Sequence, residues 1–146
     1  SKKKPIITEI LNLINLEEIS QAFTDLAFDN DAENKIFEII GQIHQNMFDE
    51  FKGDIFQFYA IEALELYSQN HSISLTRVPV LINCLKKTYI FKVSIKNANL
   101  IKKITKLDVG WEENFHKGIA DPLHKEDPRV KMIKQWEEWV SKNNIK

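Results

Sequence analysis

Cysteine is nearly absent from this sequence, because Cys84 is the only one among 146 residues. A single cysteine cannot form an internal disulfide, so a small disulfide-stapled fold is excluded and a reducing intracellular compartment, cytoplasmic or nuclear, is expected. Glycine is also scarce, with four residues, and neither the glycine-rich dinucleotide fingerprint nor the P-loop occurs. The commonest nucleotide-binding folds are therefore excluded.

Long apolar runs are missing as well. No stretch approaches the roughly 20 residues of a membrane span, and no signal-type apolar region is present, so neither a membrane span nor secretion is expected. Arginine is rare, since only Arg77 and Arg129 stand among 20 basic residues. What remains is 43% hydrophobic and 28% charged, which is typical of a globular domain large enough to fold without disulfides or metal.

The net charge of −1 conceals a strong partition along the chain. Residues 5–65 contain 13 acids and 2 bases, whereas residues 66–107 contain 8 bases and no acid. Such asymmetry indicates a charged partner, because like charges on one surface focus an attractive field. The alternative is that the two blocks pair with each other in the folded chain.

The first half of the chain carries apolar residues at helical spacing. Asn15 with Glu18 three residues later resembles a capping box that opens a helix. The Asp-Asn-Asp cluster at 29–31 indicates a loop, and Gly53 followed by Asp54 indicates that one helix stops and another starts. The helix after Asp54 is apolar on more than one face, which predicts that it is the most buried element.

Residues 75–95 fit two different structures. Thr76 could begin a helix that has Pro79 in its first turn. The alternative is a β-hairpin pairing Leu75–Ile82 with Tyr89–Ile95, because apolar and polar side chains alternate in the second of these segments and many are β-formers. Both interpretations are open at the level of sequence.

Two further helices are expected toward the end of the chain. Ser94 or Asn97 is predicted to start the first, which ends at Gly110. Asp127 followed by Pro128 is a start signal for the last. Short connections and few glycines then predict an all-α fold, with a small β-hairpin insertion near 75–95 as the alternative at that point. A single helical domain over 5–143 is expected, preceded by a basic tail at 1–4.

Side chains that could catalyse a reaction or bind metal form no recognised motif. Glu113 and His116 have the i, i+3 spacing of di-iron bundles, but such sites need two copies and one is present. A second cluster consists of His116, Asp121, His124, Glu126 and Asp127. It lacks cysteine and zinc-ligand spacing. The apolar neighbours of Cys84 indicate a buried thiol rather than a nucleophile. We expect no catalytic residue, no metal and no cofactor.

The acid-free residues 66–107, here called the basic block, contain the candidate binding residues. These are Arg77, Tyr89, Lys92, Lys96, Lys102, Lys103 and Lys106. Most of these lysines would lie along one side of a helix, with Asn97 and Asn99 among them. An acidic or phosphorylated peptide, an inositol lipid headgroup or a nucleic-acid backbone could bind there. Lys96 and Lys103 are expected to make charge contacts and Tyr89 to be an apolar anchor.

The helical segment Tyr59 to Asn70 resembles the central helix of VHS domains and of RNA polymerase II C-terminal-domain-interacting domains. The similarity is one of helix pattern and covers roughly residues 6–111; the lysine that these families place before the asparagine is Gln69 here. The last helix, running from Asp127 to Trp136, is similar to that of the elongation factor TFIIS N-terminal domain. These families imply a right-handed superhelix and a non-enzymatic, transcription-associated adaptor that binds peptides. The apolar patterns themselves indicate about seven helices.

The expected function is therefore a protein-interaction module that binds an acidic or phosphorylated segment through a basic face. One alternative is an inhibitor or immunity-type protein that neutralises a basic partner. That protein would dock through the acidic residues Asp29, Asp31, Glu33 and Glu38. Another alternative is a regulatory domain associated with nucleic acid.

Overall fold

The computed structural model describes residues 9–46, 51–88, 90–107, 109 and 128–145. In chain order the helices are α1 (Leu16–Ala27), α2 (Ala32–Asn46), α3 (Phe51–Tyr67), α4 (Val78–Lys87), α5 (Phe91–Thr105) and α6 (Pro128–Lys142), with a 3-10 turn at Leu75–Arg77. Residues 9–11 are helical too, and no described residue lies in a strand. The predicted all-α class is confirmed. None of the described helices has the length and apolar character needed to cross a membrane.

The chain divides into two compact units, Ser1–His71 and Ser72–Lys146. In the first unit α3 packs against both α1 and α2, which also contact each other. Phe56 and Leu64 of α3 are fully buried, and the Phe56 ring lies 6.3 Å from that of Phe23 on α1. This double packing explains why α3 is apolar on more than one face, as its sequence predicts.

Short polar contacts set the helix ends of the first unit. The Asn15 side-chain oxygen accepts hydrogen bonds from the backbone N–H groups of Glu17 and Glu18, at 2.9 and 3.2 Å, so the predicted cap is confirmed. The predicted break at Gly53 is wrong, because α3 runs through it from Phe51. Burial of α3 against two helices outweighs the roughly 1 kcal/mol that glycine costs inside a helix.

The second unit packs α4 against α5 and α6. The β-hairpin alternative is wrong, because both proposed strands lie in the 3-10 turn and in α4 and α5 as far as they are described. Pro79 explains the first half, since proline suits a first helical turn and interrupts a strand ladder. The predicted cap at Thr76 is replaced by Ser74, whose hydroxyl accepts from the Thr76 N–H and caps the 3-10 turn.

Helix α5 both begins and ends earlier than predicted. The Thr88 hydroxyl accepts a hydrogen bond from the Ile90 N–H, and the chain becomes helical at Phe91, so Ser94 and Asn97 lie inside the helix. At the other end Lys106 adopts a left-handed conformation with φ 60°, and its N–H bonds to the Lys102 carbonyl at 2.8 Å. The predicted end at Gly110 is therefore wrong, whereas the basic tail at 1–4 lies outside the described residues. The single domain over 5–143 and the superhelix stay predictions.

Candidate functional site

One face of α5 carries three lysines and an asparagine. Lys92, Lys96, Asn99 and Lys103 are separated by four, three and four residues, which places them within about 60° of each other around the helix. We call these four residues the basic stripe. It extends about 16 Å along the helix axis at 1.5 Å per residue. Lys92, Asn99 and Lys103 are exposed and Lys96 is half-buried.

The opposite face of α5 is buried and includes Val93, Ala98 and Ile101, each at most 1% exposed. Two polar side chains on this face, those of Ser94 and Asn97, are buried as well. The sequence pattern did not predict their burial. The Asn97 amide donates a hydrogen bond of 2.8 Å to the Leu81 carbonyl of α4. Asn97 was expected among the lysines of the binding face, and that expectation is wrong because its amide satisfies a buried backbone group.

A fully buried arginine ties the start of α5 to the other helices of this unit. Arg129, in the first turn of α6, donates from Nη1 to the carbonyls of Leu85 and Thr88 at 3.2 and 2.7 Å. The same nitrogen lies 2.9 Å from the Ser94 hydroxyl on α5. The cation thus meets carbonyls at the end of α4, where the helix dipole is negative. This network connects the start of α5, where Lys92 and Lys96 lie, to α4 and α6.

The remaining predicted binding residues lie apart from the basic stripe. Lys102 is half-buried and points about 90° away around α5, and Lys106 lies beyond the helix end. Arg77 lies in the 3-10 turn before α4. Tyr89, the predicted apolar anchor, falls outside the described residues. The structure therefore places Lys92, Lys96 and Lys103 on one surface.

Lys86, another base of the stretch 66–107, forms an ion pair. Lys86 Nζ on α4 lies 2.6 Å from Glu137 Oε2 on α6, and both side chains are exposed. This pair joins a base of the acid-free block to an acid of the same unit. In the first unit Lys35 likewise pairs with Asp29. These two pairs form within units.

Cys84 lies in α4 and is completely buried. Desolvation raises the pKa of its thiol from 9.0 to about 12, and the nearby Lys87 charge opposes this only in part. The expected buried thiol is confirmed. A nucleophilic cysteine needs a lowered pKa and solvent access, and this thiol has neither.

We predict that native Cys84 reacts with an aromatic disulfide reagent about a thousandfold more slowly than an exposed thiol at about pH 8, because little thiolate forms. The measurement is the release of the coloured thiolate from the native protein and from protein in concentrated guanidinium chloride. A native rate equal to the denatured rate would contradict the burial. The raised pKa also predicts that the contribution of the thiol to stability is intact below about pH 9 and is lost as the pH rises toward 12, since only the unfolded thiol ionises there.

Metal-binding side chains do not cluster within the described residues, where no three of His, Cys, Asp and Glu come together. His44 lies 3.4 Å from the Gln57 side chain, and the His71 ring stacks on Tyr67 at 4.6 Å. The pair Glu113 and His116 and the second predicted cluster of acids and histidines fall outside the described residues.

One feature of the sequence could have predicted the structural role of Arg129. A cation in the first turn of a helix faces the positive end of the dipole, which is unfavourable. An arginine there, in a chain that has only one other arginine among 20 basic residues, indicates a specific need for several rigid donors.

Comparison with protein-family models, with curated proteins and with solved structures finds no match to this chain.

Proposed function

We propose that this protein is a non-catalytic interaction module whose basic stripe binds an acidic or phosphorylated segment of a partner protein. The observation that carries the proposal is the placement of Lys92, Lys96 and Lys103 on one face of α5, opposite its buried face. The stretch 66–107, to which this face belongs, contains eight bases and no acid. Closely spaced like charges attract a ligand of opposite charge and raise its encounter rate.

A short acidic segment fits this surface better than a long nucleic acid. The stripe is about 16 Å long, only about twice the screening length of roughly 8 Å at physiological ionic strength, so a ligand bound there interacts mainly with local charges. Beyond that distance the net charge of −1 gives no attraction for a polyanion.

Charge reversal tests the proposal. The probes are a fluorescein-labelled peptide with alternating glutamates and its phosphoserine counterpart, and binding is followed by fluorescence anisotropy at increasing sodium chloride. We expect Lys96→Glu with Lys103→Glu to weaken binding about tenfold or more, because two attractive contacts become repulsive. The dependence of affinity on salt should become flatter, since fewer charges take part.

The matched control is Lys131→Glu with Lys134→Glu, which changes the net charge equally at two exposed positions of α6 in the same unit. This control should retain affinity within about twofold, because neither residue belongs to the basic stripe and an isolated exposed charge contributes little. Lys92→Glu provides a second single-site test at an exposed residue, and circular dichroism confirms folding of every variant. Equal losses of affinity in the stripe and control variants would contradict the proposal. Tighter binding of an oligonucleotide than of an acidic peptide of the same charge would contradict it too.

A further inference from the structure

The first unit presents two neighbouring clefts at the C-terminal end of α1. The first has a volume of about 360 Å³, with an apolar floor that includes Ile10, Leu13 and Leu26. The acidic residues Glu9, Asp25 and Asp29 also line it. An apolar floor with acidic groups suits a side chain that has a long aliphatic stem and a cationic end.

The second cleft has a volume of about 210 Å³ and is lined by aromatic rings. Phe28 and the stacked pair Tyr67 and His71 contribute to it, together with Asp29, which lines both clefts. Aromatic faces next to a carboxylate attract a guanidinium or ammonium group, because the ring quadrupole and the negative charge act in the same direction.

Phe28 is the exposed apolar residue of this region. It follows the last residue of α1, and 70% of its surface is exposed. A large aromatic side chain left in water at the rim of a cleft is typical of an interaction surface, where aromatic residues supply much of the binding energy.

Electrostatics identify the partner that this surface fits. The described residues of the first unit carry eleven acids and two bases. One of the bases, Lys35, is buried and pairs with Asp29, whose side chain remains 34% exposed. The last turn of α1 contains no basic residue, so the negative end of its dipole adds to the carboxylates.

We propose that these two clefts bind a basic segment of a partner protein, with one arginine or lysine side chain in each cleft. This surface is distinct from the basic stripe and takes a partner of the opposite charge. The acidic residues that line it are Glu9, Asp25 and Asp29. Asp25 also accepts a hydrogen bond from the Gln21 amide at 2.8 Å, and Asp29 pairs with Lys35, so the cation would share these carboxylates with their present partners. Of the four acids predicted from sequence for such docking, Asp29 lines the clefts, whereas Asp31, Glu33 and Glu38 do not.

The test uses fluorescein-labelled peptides in which two arginines are separated by an increasing number of serines. The intact chain should bind them with an affinity that peaks at one spacing, because the clefts are fixed relative to each other through Asp29 and α1. Phe28→Ala with Asp25→Asn should weaken the best peptide about tenfold or more. Neither side chain is buried, so folding should be retained.

The matched control is Ile14→Ala with Glu18→Gln, which also removes one exposed apolar side chain and one negative charge from the first unit. It should change affinity less than about twofold, because neither residue lines a cleft. Equal losses in the two double variants would overturn the proposal, since they would indicate unspecific charge attraction. Lack of binding at about 1 mM peptide would overturn it too.

Two further measurements distinguish binding in the clefts from binding at the basic stripe and from self-association. Lys96→Glu with Lys103→Glu should leave arginine-peptide affinity at or above that of the native chain, so the basic stripe and the clefts can fail independently. Sedimentation velocity over a range of protein concentrations should show that the native chain does not self-associate through Phe28. The contrary result is self-association of the native chain that Phe28→Ala abolishes. Such self-association would overturn the proposal, because a second copy of the chain would then be the occupant.

Discussion

Arg129→Ala is expected to lower the free energy of unfolding by about 3 to 5 kcal/mol, because three buried acceptors lose a charged donor and the large side chain leaves a cavity. The carbonyls of Leu85 and Thr88 and the hydroxyl of Ser94 each lose the Arg129 donor. A buried carbonyl that loses its donor carries a desolvation cost, and the space left by the side chain adds a cavity cost.

The measurement is urea unfolding followed by tryptophan fluorescence, since all three tryptophans lie between residues 111 and 139 in the second unit. Arg129→Met retains much of the volume and isolates the loss of the donors, so it should be less destabilising than Arg129→Ala. Lys131→Ala, an exposed position of the same helix, should change stability by less than about 0.5 kcal/mol. A loss for Arg129→Ala as small as that of Lys131→Ala would show that the network contributes nothing.

The same substitution should also affect the basic stripe. Arg129 contacts Ser94 on the buried face of α5, close to Lys92 and Lys96. Without this anchor the start of α5 is expected to exchange its amide hydrogens faster, because local opening becomes less costly. Binding of the acidic peptide should then weaken even though no residue of the stripe has changed, and hydrogen exchange of α5 identifies the cause.

Phe56→Ala is expected to destabilise the first unit by about 3 to 5 kcal/mol. Phe56 is fully buried in α3, and its ring lies 6.3 Å from Phe23 of α1. The Lys52 ammonium also lies 5.3 Å from the ring centroid. Truncation therefore removes apolar burial, an aromatic contact and a cation–π contact at the point where α1 and α3 meet.

Circular dichroism during urea unfolding and hydrogen exchange of α1 and α3 measure this loss. The matched control is Phe58→Ala, which removes the same side chain two residues later in α3, at a half-buried position. We expect its effect to be less than half as large, because less apolar surface leaves water and the site can relax. Equal effects of the two substitutions would contradict the assignment of Phe56 to the core.

Local features of the fold were predictable where a single turn of chain contains their cause. Asn15 caps α1 through hydrogen bonds to residues two and three positions away, and Pro79 lies in the first turn of α4. Apolar spacing also indicated the helical class. The prediction of a break at Gly53 was wrong because the packing of α3 against two other helices outweighs a local preference.

The candidate sites were predictable only in part for the same reason. The spacing of Lys92, Lys96 and Lys103 gives a common face once the segment is helical, whatever it packs against. The role of Asn97 depends on a carbonyl sixteen residues away, and that of Arg129 on groups 35 to 44 residues away. No local pattern encodes such contacts.

The sequence by itself determined that this is a helical chain with an acidic first half and an acid-free basic block, because helix period and charge order are properties of neighbouring residues. Only the tertiary structure decided which of these residues face water. Burial of Arg129, Asn97 and Lys35 removes them from the surface, whereas Phe28 remains on it. Exposure depends on which helices pack together, and that packing joins residues distant in sequence.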